Sequence, residues 1–72
     1  MLVKVEVDSY PRGALVRIGE TDFGQTPIRL DLELGAKYEL KFLVDGDVRT
    51  IRNIRASKKS KLLVNLPRDH SS

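Results

Sequence analysis

Hydrophobic residues recur at every second position along most of this chain, and the spacing of three and four that marks a helix is almost absent. Between Leu2 and Asp8, for example, Val3, Val5 and Val7 alternate with polar residues, as in a strand with one buried face. The same alternation recurs in four further segments: Ala14 to Ile18, Ile28 to Leu34, Lys37 to Val44 and Lys61 to Leu66. The pattern therefore predicts five amphipathic β-strands.

A sixth strand is predicted from Val48 to Arg55, where the alternation is less regular. Ile51 and Ile54 are three residues apart and so fall on opposite faces of an ideal strand. A β-bulge near Arg52 and Asn53 would place both isoleucines on the buried face. We therefore expect a bulged strand here.

Segments rich in glycine, proline and aspartate separate the predicted strands. They are a turn at Tyr10-Pro11-Arg12-Gly13, a longer connection over residues 19–27, a tight link at Gly35-Ala36, a hairpin turn at Asp45-Gly46-Asp47 and a basic surface loop over residues 56–60. Each connection is short enough to join antiparallel neighbours. We therefore predict an all-β domain, a small antiparallel β-sandwich of about six short strands.

The predicted domain spans residues 1–66, and the polar residues 67–72 are expected to form a disordered tail. The predicted core consists of inward-facing residues of the strands. These are Val3, Val5, Val7, Val16, Ile18, Ile28, Leu30, Leu32, Leu40, Phe42, Val64 and Leu66.

Two turn motifs carry a family resemblance. The first is Pro11-Arg12-Gly13-Ala14, which opens a strand, and the second, about ten residues later, is Gly24-Gln25-Thr26-Pro27. Together with the strands that follow, they resemble the P-x-G-A and G-x-T-P signature of the PEGA domain over about residues 3–66. The chain departs from the family pattern at Arg12, at Gly19, which precedes the expected hairpin position, and at Asp47, where an aromatic residue is common.

The resemblance implies a non-catalytic β-sandwich module of a larger protein. Such domains occur in bacterial and archaeal envelope or surface proteins and as accessory regions of serine/threonine kinases. The resemblance also implies structural roles for the motif residues, which are Pro11, Gly13, Ala14, Gly24, Thr26 and Pro27. Glycine relieves backbone crowding and proline fixes φ, and neither is a reactive group. The resemblance therefore supplies a fold and no chemistry.

The composition argues against an enzyme. A chain of 72 residues buries too little surface to line a deep pocket, and it contains no Cys for a disulfide or a cysteine-based zinc site. The single histidine, His70, lies in the predicted tail. The acid pair Asp31 and Glu33 lies on an outer strand face, and Asp45 and Asp47 flank a hairpin glycine, so no catalytic, metal or cofactor site is predicted. No apolar run is long enough for membrane insertion.

The net charge of +3 is unevenly distributed. Residues 1–35 hold six acids and four bases, whereas residues 36–72 hold four acids and nine bases. Six bases lie within residues 49–61, a stretch of thirteen residues that contains no acid. They are Arg49, Arg52, Arg55, Lys58, Lys59 and Lys61. Such a block is typical of a solvated face, and it also suits weak contact with a polyanion or an acidic partner.

Two aromatic residues, Tyr10 and Phe23, fall in predicted connections, whereas Tyr38 and Phe42 are predicted to face inward. Tyr10 and Phe23 are candidates to cover one end of the sandwich or to contact a sugar ring or a partner protein. Specific nucleic-acid binding is not expected, since the basic block contains no aromatic residue on which bases could stack.

Three functions follow as hypotheses: recognition of cell-wall polysaccharide, interaction with a protein such as another domain of a parent protein, and nucleic-acid binding. The tentative contact residues are Tyr10, Phe23 and the basic residues Arg49, Arg52, Arg55, Lys58 and Lys59. If the parent protein is exported, the domain is expected in the cell envelope, and otherwise in the cytoplasm.

Overall fold

Seven β-strands follow one another without a helix in a computed structural model that describes residues 1–58 and 60–66. Their bounds are β1 (Leu2–Tyr10), β2 (Leu15–Ile18), β3 (Thr21–Gln25), β4 (Ile28–Glu33), β5 (Lys37–Val44), β6 (Asp47–Arg55) and β7 (Ser60–Asn65). Lys59 and the predicted tail, residues 67–72, lie outside the described residues.

The strands form two sheets, with orders β4-β1-β7 and β3-β2-β5-β6. The alternate residues of each strand that the sequence placed inward meet between the two sheets in one hydrophobic cluster. Phe42 and Leu40 of β5 and Val16 of β2 are fully buried there, opposite Val5 and Val7 of β1. The predicted all-β sandwich is therefore confirmed.

The core differs from the prediction at its ends. Ala56, predicted in a surface loop, is buried because its N–H donates to Ala36 O at 2.9 Å and its carbonyl accepts from Gly35 N at 2.8 Å. Leu34, predicted to face inward, is 39% exposed because β4 ends at Glu33 and Leu34 lies in the following turn.

The structure has one strand more than the six that were predicted. This additional strand, β3, occupies most of the region over residues 19–27 that was predicted as a long connection. It forms a hairpin with β2 through a two-residue turn at Gly19 and Glu20. Its register with β2 shifts between Val16 and Arg17, which leaves Phe23 as an extra residue on β3. The segment lacks hydrophobic alternation because β3 is an edge strand with little buried surface.

The expectation that every connection joins neighbouring strands is wrong for four of the six connections. Only β2–β3 and β5–β6 are hairpins, and the other four connections cross from one sheet to the other. In addition, β7 pairs with β1 in parallel, whereas all other pairs are antiparallel. Hydrophobic alternation determines which face of a strand is buried but not which strand lies beside it.

The bulge in β6 lies at Arg49 rather than near Arg52 and Asn53. The register of β6 with β5 shifts between Phe42 and Leu43, so that Arg49 is the extra residue of the bulge. Ile51 therefore stays on the outer face and is 48% exposed, while Ile54 packs against the core. The Asp45-Gly46 hairpin that precedes β6 formed as expected.

Candidate functional site

The two turn motifs meet around one buried threonine at the end of the sandwich where β1 ends. Thr26 is 4% exposed, and its hydroxyl oxygen accepts hydrogen bonds from the N–H groups of Gly13 at 3.0 Å and Ala14 at 3.2 Å. The backbones also pair, since Gly13 N donates to Thr26 O at 3.1 Å and Thr26 N donates to Ala14 O at 2.9 Å. These bonds fasten the β1–β2 crossing to the β3–β4 crossing.

A residue that the sequence analysis missed, Ser9, completes this network. Its side chain is 2% exposed, its Oγ lies 2.6 Å from Thr26 Oγ1, and it donates to Pro11 O at 2.8 Å. Because the Ser9 proton is used on Pro11, Thr26 must donate its own proton to Ser9 Oγ. The available signal was the position of Ser9, which continues the inward alternation of Val3, Val5 and Val7.

The remaining motif residues hold the backbone in place around this network. The Tyr10–Pro11 and Thr26–Pro27 peptide bonds are both cis. Gly13 has a φ of +99°, and Gly24 has a φ of +134° at a point where an added Cβ would lie 3.0 Å from Ile28 Cδ1. The buried polar side chains of the motifs are therefore used in hydrogen bonds within the domain.

Tyr10 is the most exposed aromatic side chain in the described part of the chain, at 71%. It ends β1 rather than lying in a connection, and it is the register partner of Asn65 on β7. Leu63 of β7, 63% exposed, and its register partner Asp8 lie on the same outer face of the three-stranded sheet. This end of the sheet thus presents an aromatic ring beside an amide and an aliphatic side chain.

Phe23 lies in a different sheet from Tyr10. It is the extra residue of β3, at the edge of the four-stranded sheet, and is 42% exposed. The expectation that both residues lie in connections is wrong, because β1 and β3 each extend through these positions.

The basic residues follow the edge of β6 and the crossing to β7. Arg52, Arg55 and Lys58 are exposed, and Arg49 is half-buried at the bulge. Lys61 on β7 lies 4.0 Å from Glu6 Oε2. Lys59 is outside the described residues. The block therefore follows the chain through β6 and into β7, with Arg52 and Arg55 on opposite faces of β6.

A shallow groove of about 670 Å³ lies where β7 begins opposite the middle of β1. Residues 2–4 of β1 have no β7 neighbour there, and Lys4, Arg29 and Lys61 line the space. Lys4 pairs with Asp31 at 3.1 Å and Arg29 with Glu6 at 3.3 Å. Lys4, Arg29 and Lys61 already have acidic partners, whereas Lys58, which also lines the groove, has none among the described residues, so the groove keeps an excess of positive charge.

Among the described residues, an ion pair in the β2–β3 hairpin shifts the pKa values of its two side chains, Arg17 and Asp22. Arg17 Nε donates to Asp22 Oδ1 at 2.5 Å and Arg17 Nη2 to Asp22 Oδ2 at 3.4 Å, on directly paired positions of the two strands. The hydrogen bond from Arg17 lowers the pKa of Asp22 below its ordinary value of 3.8. This bidentate pair is exposed and fixes an edge strand.

The described residues contain no group of three acidic, histidine or cysteine side chains placed to hold a metal ion. Across the same residues, no buried side-chain nitrogen or oxygen lacks a hydrogen-bond partner. No helix long and apolar enough to cross a membrane is found in residues 1–58 and 60–66.

Comparison with known families gives one match. The family model of the PEGA domain matches residues 2–69, which is nearly the whole chain. No curated protein and no solved structure gives a significant match.

Proposed function

Because the chain belongs to the PEGA domain family, whose members are small modules of larger proteins, we propose that it is a non-catalytic binding module for a glycan polymer of the cell envelope. It binds through the outer face of the three-stranded sheet around Tyr10. It carries out no reaction of its own, and it acts outside the cytoplasm as part of an exported protein.

The single observation behind this proposal is the exposure of the Tyr10 ring beside Asn65. A flat aromatic ring packs against the C–H face of a sugar, and a neighbouring amide can donate to and accept from its hydroxyl groups. Arg12, whose Nη2 donates to Asp8 Oδ2 at 3.1 Å, adds a further polar group at this end of the sheet. A ring left 71% exposed contributes little to the core, so binding is a better account of its position.

A surface of this size supports only weak binding. Stable protein interfaces bury roughly 800 Å² per partner, a large share of a domain this small. One sugar on one ring buries far less. The module therefore depends on neighbouring domains of the parent protein, whose linked contacts multiply a weak affinity.

The test is an NMR titration of the 72-residue chain with soluble peptidoglycan fragments. Shifts should cluster at Tyr10, Asn65 and Leu63, and Tyr10→Ala should abolish them while Tyr10→Phe retains part of the effect. Phe23→Ala is the matched control, because it removes an exposed aromatic from the other sheet. Shifts that appear only with another domain of the parent protein would favour a protein partner instead, and turnover of a fragment would contradict a non-catalytic role.

A further inference from the structure

The strand β6 forms an open edge that differs from the other three edges of the sandwich. It has nine residues, whereas the edge strands β3, β4 and β7 have five, six and six. Both β3 and β6 contain a bulge, at Phe23 and at Arg49, but β6 continues for six residues beyond its bulge. Beyond the bulge at Arg49, the outer side of residues 50–55 offers a row of unpaired backbone groups to another strand, and this row carries two arginines.

Two of the charges on this edge, those of Arg52 and Arg55, lack internal partners. No acid in the described part of the chain pairs with Arg52 or Arg55, although ion pairs do cover the charged residues of β4 and Lys61 of β7. In the register of β5 and β6, Arg55 lies directly opposite Lys37, which also has no acidic partner there. Like charges directly opposite one another destabilise a sheet, so this arrangement costs the fold stability that a bound anionic group would restore.

The two arginines lie on opposite faces of the strand. Arg52 is the register partner of the buried Leu40 and therefore belongs to the inner face, and Arg55 belongs to the outer face with Lys37. Between them, the half-buried Ile54 packs against the core. A strand placed beside β6 would thus meet a positive charge on each face and an apolar side chain between the charges.

We propose that β6 is a docking edge for an extended acidic segment of another protein, which adds a strand to the four-stranded sheet. The segment carries acids three residues apart, opposite Arg55 and Arg52, and an apolar residue opposite Ile54. Main-chain hydrogen bonds supply the affinity, and the charge pattern selects the partner. A second copy of β6 centred on Arg52 would instead place Arg52 opposite Arg52, so the edge disfavours that self-pairing.

The experiment uses a synthetic peptide with the central sequence Glu-Val-Thr-Glu flanked by threonines, added to the full chain and followed by NMR. We expect shifts along the β6 amides, slowed exchange of those amides and no shift at Tyr10 or Asn65. A peptide with lysines in place of both glutamates should not bind. A peptide of unchanged charge with alternate backbone nitrogens methylated should lose binding, because it cannot form the strand hydrogen bonds.

Two variants make the test specific to the arginines. Reversing both charges, Arg52→Glu with Arg55→Glu, is expected to weaken binding of the acidic peptide about tenfold and to create binding of the lysine peptide, which an unfolded variant could not do. Arg12→Glu is the control, since it reverses an exposed charge near the end of β1, whereas Arg55 precedes Ala56, which is bonded to the Gly35-Ala36 turn near the start of β1. Equal binding of the methylated peptide would reduce the contact to charge attraction and overturn the proposal, as would shifts located away from β6. Neither result tests glycan binding, which is followed by the separate NMR signals of Tyr10, Asn65 and Leu63.

Discussion

At the level of single residues, the hydroxyl of Thr26 has its full hydrogen-bonding capacity in use. It accepts from two backbone N–H groups and donates to Ser9, which in turn donates to Pro11 O. Each of these groups is buried or partly buried, and a buried polar group left without a partner costs about 1–3 kcal/mol. The Thr26 side chain therefore holds the β1–β2 crossing and the β3–β4 crossing in a fixed position relative to each other.

Thr26→Val removes the hydroxyl and keeps the shape of the side chain. It should lower the free energy of unfolding by about 2–4 kcal/mol, because Ala14 N–H and Ser9 Oγ lose a partner in a buried site. The measurement is the urea midpoint. Thr26→Ser is the matched control, since it keeps the oxygen and should cost only about 1 kcal/mol for the lost methyl group. Equal losses in both variants would show that packing, and not hydrogen bonding, is what Thr26 contributes.

Gly13 tests the backbone beside this network. Its φ of +99° is a conformation that other residues adopt only with strain, although a Cβ there would meet no atom within 4 Å. Gly13→Val should therefore destabilise the domain by about 1–3 kcal/mol through backbone strain alone. The neighbouring variant Arg12→Ala removes only an exposed ion pair to Asp8 and should change stability by less than about 0.5 kcal/mol. Identical urea midpoints for wild type and Gly13→Val would contradict this account.

At the level of elements, the strands were predictable wherever burial imposes alternation. The inward residues of β1, β4, β5 and β7 followed directly from period-two spacing. The edge strand β3 could not be found this way, because its residues Thr21, Asp22 and Phe23 are all exposed and carry no pattern. The bulge in β6 lies away from its predicted position for a related reason: Ile51 is hydrophobic, yet it lies on the outer face and is 48% exposed, which its residue type does not predict.

The pairing of Arg17 with Asp22 holds β3 against β2, and its effect depends on pH. The pKa of Asp22 is lowered in the folded state, first by the hydrogen bond from Arg17, so this carboxylate stabilises the fold above its unfolded pKa near 3.8. That contribution is lost as the pH falls through the lower, folded-state pKa. The stability difference between wild type and Asp22→Asn should thus be constant from pH 7 to pH 5 and shrink below about pH 4. Urea midpoints of both proteins at pH 7, 5 and 3 provide the measurement, and a difference that does not change with pH would exclude the pair as its source.

At the level of the whole molecule, hydrophobic pattern and motif identified the class of fold, but the crossings between sheets were beyond them. Gly35-Ala36 looks like a hairpin link by length, yet it carries the chain from β4 in one sheet to β5 in the other. The neighbours of the candidate site residues were likewise not predictable from the sequence. The sequence singled out Tyr10 and the arginines as exposed polar or aromatic groups, but only the register shows Asn65 beside Tyr10 and Lys37 opposite Arg55.

The distribution of charge over the molecule leads to a prediction about polyanions. The basic residues lie along one segment of the chain, the basic strip, which runs through β6, the four-residue crossing and the start of β7, with Arg52 and Arg55 on opposite faces of β6. Arg52, Arg55 and Lys58 are exposed along this strip, and the described part of the strip contains no exposed aromatic residue. Phosphate contacts made by such side chains release counterions, and they weaken steeply as salt rises. Oligonucleotides should therefore bind weakly at low salt, with equal affinity for different sequences of one length, and should not bind at physiological salt.

Fluorescence anisotropy with two unrelated single-stranded sequences measures this binding, with Arg12→Ala as a control that leaves the strip intact. Tight and sequence-selective binding at physiological salt would require stacking or base recognition that this surface does not provide, and it would replace the glycan proposal with a nucleic-acid function.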